Sequence, residues 1–240
     1  MNKVVIVTGA SSGIGEATVL DLAKRGCRVI AAARREDRLQ SLAAKAPDHI
    51  HPVVCDVVDK NAVRQLVQTC IDKFGRIDVL VNNAGVMPLS YLKNTMVEEW
   101  DRMIDVNLKG ALYAIAEVLP LFRKQRDGHI VNVGSVASRR VFPGGGVYCA
   151  TKFGLRAVSE GLRLELDPKE NVRVTMIEPG AVATELAATS TDREFLEEST
   201  FSLERVLDPE DIARSIAYAI EQPPHVNVEE LMIMPKDQTR

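Results

Sequence analysis

The sequence predicts an α/β fold: a doubly wound parallel sheet of about seven strands with helices on both faces. Three observations predict it. Short β-branched runs alternate with helical patterns along the whole chain of 240 residues. The strands read as continuous apolar runs, the pattern of a sheet covered on both faces. The first run, Val4-Val5-Ile6-Val7, leads directly into a glycine-rich turn and then a helix.

In order, residues 4–7 form the first strand and residues 14–25 the first helix, stopped by Gly26. Residues 28–33 are the second strand. Residues 36–45 make a helix opened by Glu36 and Asp37, acids that suit a helix N-terminus. A third strand over 51–55 precedes a helix over 60–74 closed by Gly75, and residues 79–81 are strand four. Residues 97–124 hold one or two helices, which Pro120 is expected to bend or break. Strand five spans 130–134, a long helix 148–166, and strand six 173–178. Asp208-Pro209-Glu210-Asp211 reads as N-cap, Pro at the first helical position and acids in the first turn; that helix runs to about Glu221, and residues 231–234 are the last strand. Residues 185–206 lack strong periodicity, so a surface lid is expected there. No repeat or linker divides residues 1–240, which read as one domain.

Composition excludes several classes. Hydrophobic residues are 46% and charged residues 26%, as in a globule. The net charge of −3 comes without a basic stripe, which argues against nucleic acid as partner. No secretory leader pattern precedes the first strand, and no apolar run reaches the roughly 20 residues of a membrane span. A cytoplasmic protein with no membrane association is expected. Cys27, Cys55, Cys70 and Cys149 form no C-x-x-C pair and read as reduced core residues; Cys149 also adjoins a candidate catalytic residue. His49, His51, His129 and His225 are scattered without metal-ligand spacing, and no metal is expected.

The glycine turn is the first chemical signal. Residues 8–15 read Thr-Gly-Ala-Ser-Ser-Gly-Ile-Gly. Gly9 turns the chain off the strand, Gly13 lets backbone approach a phosphate, and Gly15 lets the helix pack close to the sheet. With Ser11, Ser12 and Ile14, they present backbone N–H groups and a helix N-terminus to a pyrophosphate, as in Rossmann-like dinucleotide folds. A tight strand–helix turn with no ligand is the plainer reading. About 20 residues on, where an acid would bind an NAD ribose, stands Ala33, followed by Arg34 and Arg35. Two guanidiniums there favour the 2′-phosphate of NADP(H). Solvated arginines on a surface turn are the alternative.

Ser135 closes strand five, and Tyr148 and Lys152 lie four apart, on one helix face. Carbonyl reduction needs a hydride and a proton delivered to oxygen. Tyr148 can carry that proton, and a nearby Lys152 ammonium is expected to lower a phenol pKa that is otherwise near ~10. Ser135 would hold the substrate oxygen. Alone, the Tyr-x-x-x-Lys pair is an ordinary helix face; with the glycine turn it is a reaction centre.

The motif Thr-Gly-x-x-x-Gly-x-Gly, joined to Ser135, Tyr148 and Lys152, resembles the short-chain dehydrogenases/reductases, and the resemblance covers residues 3 to about 235. It implies that Asp56 and Val57 hold the adenine, although Asp56 could equally be a helix cap. It implies that Asn83, Ala84 and Gly85 line the adenosine side, and that Pro179, Gly180, Val182 and Thr184 hold the nicotinamide end. It implies that Asn107 supports a water-borne proton relay from Lys152, and that the protein is a homotetramer acting on a small alcohol or carbonyl.

A narrower resemblance, carried by Ala-Arg-Arg-x-x-Arg-Leu at 33–39, Ile-Glu-Pro-Gly at 177–180 and the tail from His225-Val226-Asn227 to Met234-Pro235, points to NADP-dependent 3-hydroxy acid (serine) dehydrogenases. Asn83-Ala84-Gly85-Val86-Met87 with Thr184-Glu185-Leu186 is similar to clavulanate dehydrogenase. Substrate choice is expected in residues 86–94, 136–147 and 183–206, where Arg139 and Arg140 either attract a carboxylate or are solvated loop charges. A non-catalytic NADP-binding or redox-sensing protein, or an epimerase-type relative, are the rival functions.

Overall fold

The computed structural model describes residues 1–198 and 206–238. Its centre is one seven-stranded sheet, all parallel, in the order β3-β2-β1-β4-β5-β6-β7. The strands are β1 (Val4–Thr8), β2 (Arg28–Ala33), β3 (Ile50–Val54), β4 (Val79–Asn82), β5 (Gly128–Val133), β6 (Val172–Pro179) and β7 (Glu230–Ile233). The helices are α1 (Gly13–Lys24), α2 (Glu36–Ala44), α3 (Lys60–Phe74), α4 (Val97–Ile104), α5 (Gly110–Gln125), α6 (Gly146–Glu165), α7 (Arg193–Glu198) and α8 (Pro209–Glu221).

The period of two in each strand sorts its side chains onto two faces. Val5, Val7, Val29, Ala31, Val79 and Val81 pack with residues of α1, α2 and α8. Val4, Ile6, Ile30, Leu80 and Ile130 pack on the opposite face with α3 and α5. Both faces are dry, which is why the strands read as unbroken apolar runs. The strand order reverses between β1 and β4. A crevice therefore opens at the carboxyl ends of those strands, where open α/β sheets take their ligands.

Most boundaries fall where the sequence places them. The span 60–74 matches α3 at both ends, and Gly75 stops it in a left-handed conformation at φ 73°. Asp208 and Asp211 form a reciprocal capping box on α8. The helix break at Pro120 and the Asp56 cap need correction. The chain between 97 and 125 is not broken at Pro120, which α5 carries in its interior; the interruption is a π-helical turn at Asp105–Lys109. Within 185–206, where a surface lid was expected, a 3-10 turn spans Glu185–Thr189 and α7 follows, while residues 199–205 lie outside the described ones. Asp56 caps no helix; Asp59 does, its carboxylate accepting from the Asn61 N–H at 2.8 Å.

Candidate active site

The crevice is built first from the glycine turn. Gly9 has φ 65°, and a Cβ on it would fall 2.7 Å from the Ala84 Cα. A Cβ on Gly15 would lie 2.2 Å from the Gly9 carbonyl oxygen and 2.5 Å from Asn83 Nδ2. The turn, the start of α1 and the segment after β4 thus touch backbone to backbone. Thr8 and Asn83 stitch them: the Thr8 hydroxyl accepts from the N–H groups of Asn83 and Ala84, both at 3.1 Å, and Asn83 Nδ2 donates to the Thr8 carbonyl at 2.9 Å. The side chain of Ser12, the residue before α1, makes no cap bond. The N–H groups of Gly13, Ile14 and Gly15 consequently lack helical partners and point their dipoles out of the helix start. This is a donor set suited to a pyrophosphate.

The arginines stand beside it. Arg35 donates from Nε to Ser11 Oγ at 3.1 Å and from Nη2 to Ser12 Oγ at 2.6 Å. Its Nη1 reaches Glu185 Oε2 at 2.9 Å, and Arg38 Nη2 lies 3.5 Å from the other oxygen of Glu185. Arg34 is more loosely held, 3.9 Å from Asp56 Oδ2. The sequence reading missed the role of Arg38 and Glu185. The i, i+3 spacing of Arg35 and Arg38 was a usable signal; a partner 150 residues away was not. A cavity of about 760 Å³ opens here, lined by Ser12, Gly13, Arg38, Thr184 and Glu185 among others. Val57 is buried with its side chain against Gly110 of α5, and Asp56 turns back on the Val58 N–H at 3.2 Å.

Beyond β6 the chain closes the other side. The Gly180 N–H donates to the Ile233 carbonyl at 2.7 Å, Pro179 is buried at the end of β6, and Val182 pairs with Leu207 in an isolated parallel bridge. Thr184 caps the following 3-10 turn and sets its methyl 3.0 Å from where a Cβ on Gly13 would stand.

The residues expected to react lie on α6 and just beyond β5. Tyr148 and Lys152, one turn apart on α6, are each only 5% exposed. Burial pushes the Tyr148 phenol up to about 12, and the neighbouring Ser135 hydroxyl draws it partly back. Lys152 places its Nζ 5.8 Å from the centre of the Tyr148 ring. Its Nζ donates to the Val133 carbonyl at 2.9 Å, and burial brings its own pKa down to about 8. Desolvation thus disfavours the charged form of both groups. Ser135 heads a short 3-10 turn, accepting from the Ala137 N–H at 3.1 Å.

Asn107 sits in the π-helical turn and is fully engaged. Its Oδ1 accepts from the Val86 N–H at 2.8 Å; its Nδ2 donates to the Val86 carbonyl at 2.9 Å and to Thr151 Oγ1 at 3.2 Å. Thr151 Oγ1 in turn donates to the Tyr148 carbonyl at 2.7 Å. The side chain braces the loop after β4 against the helix that carries Tyr148. Gly85 is the spacer here, since a Cβ on it would come 3.4 Å from Asn107 Oδ1 and 3.8 Å from Lys152 Nζ.

The three expected substrate segments meet. The Leu89 N–H donates to Ser190 Oγ at 2.8 Å, the Tyr91 N–H to Asp192 Oδ2 at 3.0 Å, and the Ser90 N–H to the Gly144 carbonyl at 3.0 Å. Tyr91 and Phe195 pack edge to face at 5.6 Å. Arg139 is neither of the things the sequence offered. It donates to the fully buried Glu178 at 2.6 Å and pairs with Glu230, fastening the Ser135 turn to β6 and β7. Cys149 is buried in a small core with Val86, Met103 and Ala137, beneath the reactive groups, and all four cysteines are buried and unbridged. Among the described residues no three His, Cys, Asp or Glu side chains gather to hold a metal, and no helix is long and apolar enough to cross a membrane.

A doubly wound sheet with a glycine-rich turn at its switch point, and a buried tyrosine beyond β5, is the architecture of Rossmann-like dinucleotide folds. Sequence comparison places the chain within it: the short chain dehydrogenase family matches residues 3–194, and the chain belongs to that family. An uncharacterised oxidoreductase of Staphylococcus saprophyticus is 46% identical over 240 residues, covering 99% of this chain and 98% of its own. Among solved structures, the closed form of serine dehydrogenase complexed with NADP+ superposes with a TM-score of 0.92 at 36% identity, covering 99% of this chain and 96% of that one. The alcohol dehydrogenase of the archaeon Thermococcus sibiricus, complexed with 5-hydroxy-NADP, gives 0.88 at 30% identity, covering 100% and 99%.

Proposed function

We propose that the chain is an NADP(H)-dependent oxidoreductase interconverting an alcohol and a carbonyl, with a small hydroxy acid as the favoured substrate type. The observation that carries the reading is the burial of Tyr148, next to Ser135, at the carboxyl end of the sheet beside an open glycine turn flanked by arginines. The NADP-bound neighbours support the choice of cofactor. Bound there, the nicotinamide supplies or accepts hydride.

The turn from Gly9 through Ser11, Ser12, Gly13, Ile14 and Gly15 holds the pyrophosphate, and Arg34 and Arg35 take the 2′-phosphate through charge-assisted bonds. Asp56, Val57, Asn83, Ala84 and Gly85 flank the adenosine; Pro179, Gly180, Val182 and Thr184 flank the nicotinamide end. Ser135 orients the substrate oxygen. Tyr148 gives that oxygen its proton in reduction and takes it back in oxidation. Burial favours the protonated phenol of Tyr148, the form that gives a proton in reduction. Lys152 presents a desolvated ammonium to the cofactor ribose below its pKa of about 8, and Asn107 holds the Val86 loop and α6 in register. A homo-oligomer, tetrameric by family analogy, in the cytoplasm belongs to the same proposal.

The test is NADPH oxidation with a panel of ketones, aldehydes and 3-oxo acids, run beside NADP+ reduction with L-serine and other 3-hydroxy acids. Turnover with 3-oxo or 3-hydroxy acids is expected. Silence in both panels, with NADPH still bound, would replace the enzyme reading with a binding or sensing protein.

A further inference from the structure

Glu185 is an internal anion lodged among the groups assigned to a phosphate. Its two carboxylate oxygens face Arg35 Nη1 at 2.9 Å and Arg38 Nη2 at 3.5 Å. The same Arg35 is oriented by Ser11 and Ser12 of the glycine turn, so its fork is already aimed before any ligand shares it. Glu185 and Arg38 both line the cavity of about 760 Å³ beside that turn. A carboxylate and a phosphate ask for the same thing from a guanidinium: two N–H donors in one plane. They cannot both have it, and two anions on one fork repel.

We propose that Glu185 is a specificity-determining residue that competes with the cofactor's 2′-phosphate for Arg35 and Arg38, and so limits the preference for NADPH over NADH. The inference rests on the reading of Arg34 and Arg35 as the 2′-phosphate site. NADH, which has no such phosphate, leaves the Glu185 pair intact and incurs no cost; NADPH must loosen it. The hydrogen bond from Arg35, then the charges of Arg35 and Arg38, hold the Glu185 carboxyl below its ordinary range. Glu185 begins the segment whose Ser190 and Asp192 grip the 89–94 loop.

The experiment measures dissociation constants of NADPH, NADH, 2′,5′-ADP and 5′-ADP for the unaltered protein and for Glu185→Gln, Glu185→Asp and Arg35→Ala, with no turnover required. Glu185→Gln is expected to tighten NADPH and 2′,5′-ADP by about twofold to fivefold, the scale of a solvent-exposed charge pair. NADH and 5′-ADP should not move, and Glu185→Asp should stay close to the parent. Unchanged or weaker NADPH binding in Glu185→Gln, while Arg35→Ala still loses NADPH selectively, overturns the competition and leaves the phosphate site standing. Equal shifts for NADPH and NADH also overturn it, because they mark a general effect on the loop. If Arg35→Ala loses both cofactors alike, the phosphate reading itself fails and this inference with it.

Discussion

The catalytic end and the arginine end of the crevice handle charge in opposite ways. At the first, Tyr148 and Lys152 are each 5% exposed, and burial moves both toward their neutral forms, to about 12 and about 8. At the second, the side chains of Arg34 and Arg35 are 59% and 42% exposed and pair with carboxylates in solvent. Desolvation carries energy at one end, whereas water screens it at the other. The buried end can change how a proton is held but at a cost to folding. The exposed end can discriminate ligands at almost no cost to folding, and with correspondingly modest energies.

Substitutions that separate these two behaviours sharpen the contrast. The largest effect is expected from Tyr148→Phe, which removes the proton carrier: turnover should fall by about a thousandfold or more, with NADPH affinity by fluorescence titration nearly unchanged. Retained turnover would break the mechanism. Next is Arg139→Ala, which strips the 2.6 Å partner from the fully buried Glu178. A loss of about 3 kcal/mol in chemical denaturation is expected. Burial raises the Glu178 pKa, so the folded state binds its proton more readily than the unfolded one. The deficit should therefore be greatest at neutral pH and shrink as the pH falls and Glu178 takes up its proton.

Lys152→Met should abolish turnover yet stabilise the fold by about 1–3 kcal/mol at neutral pH, read as a rise of a few degrees in melting temperature. The sign follows from a folded pKa of about 8 against an ordinary 10.5. The charged form is penalised below about 8, and the gap between variant and parent should close as the pH rises toward 10.5. An unchanged gap across that window would mean that the lysine is not desolvated. Smaller again, Arg35→Ala should weaken NADPH by about tenfold to a hundredfold, with NADH unmoved. Arg34→Ala should do so by only about threefold, because this more exposed side chain is held by one 3.9 Å pair. Reversed ranking of the two arginines would show that orientation by Ser11 and Ser12 does not matter.

What could be read from sequence divides along the same line. The sheet was legible because β-branched runs such as 4–7 and 28–33 are local patterns, and α3 because Gly75 ends it locally. The sequence placed Tyr148 and Lys152 on one helix face, but not their burial to 5% exposure, because burial is a property of the packed molecule. Pro120 misled for a related reason. Proline discourages a helix locally, but α5 is held by its packed face, with Val118 and Phe122 buried on either side of it. The real interruption at Asp105–Lys109 coincides with Asn107 bonding to Val86 and Thr151, partners on other elements. Arg139 looked like a loop charge because Glu178 and Glu230 lie 39 and 91 residues away along the chain.

One contact near the start of the chain has a thermodynamic consequence. The Gly15–Gly9–Asn83 approach, too tight for any Cβ, fuses the phosphate turn to the sheet. A turn so wedged has little conformational entropy left to surrender. Dinucleotide binding at that point should be limited by desolvation of the phosphates rather than by ordering of the loop. Calorimetry of inorganic pyrophosphate against the protein is expected to show little entropic cost at that turn.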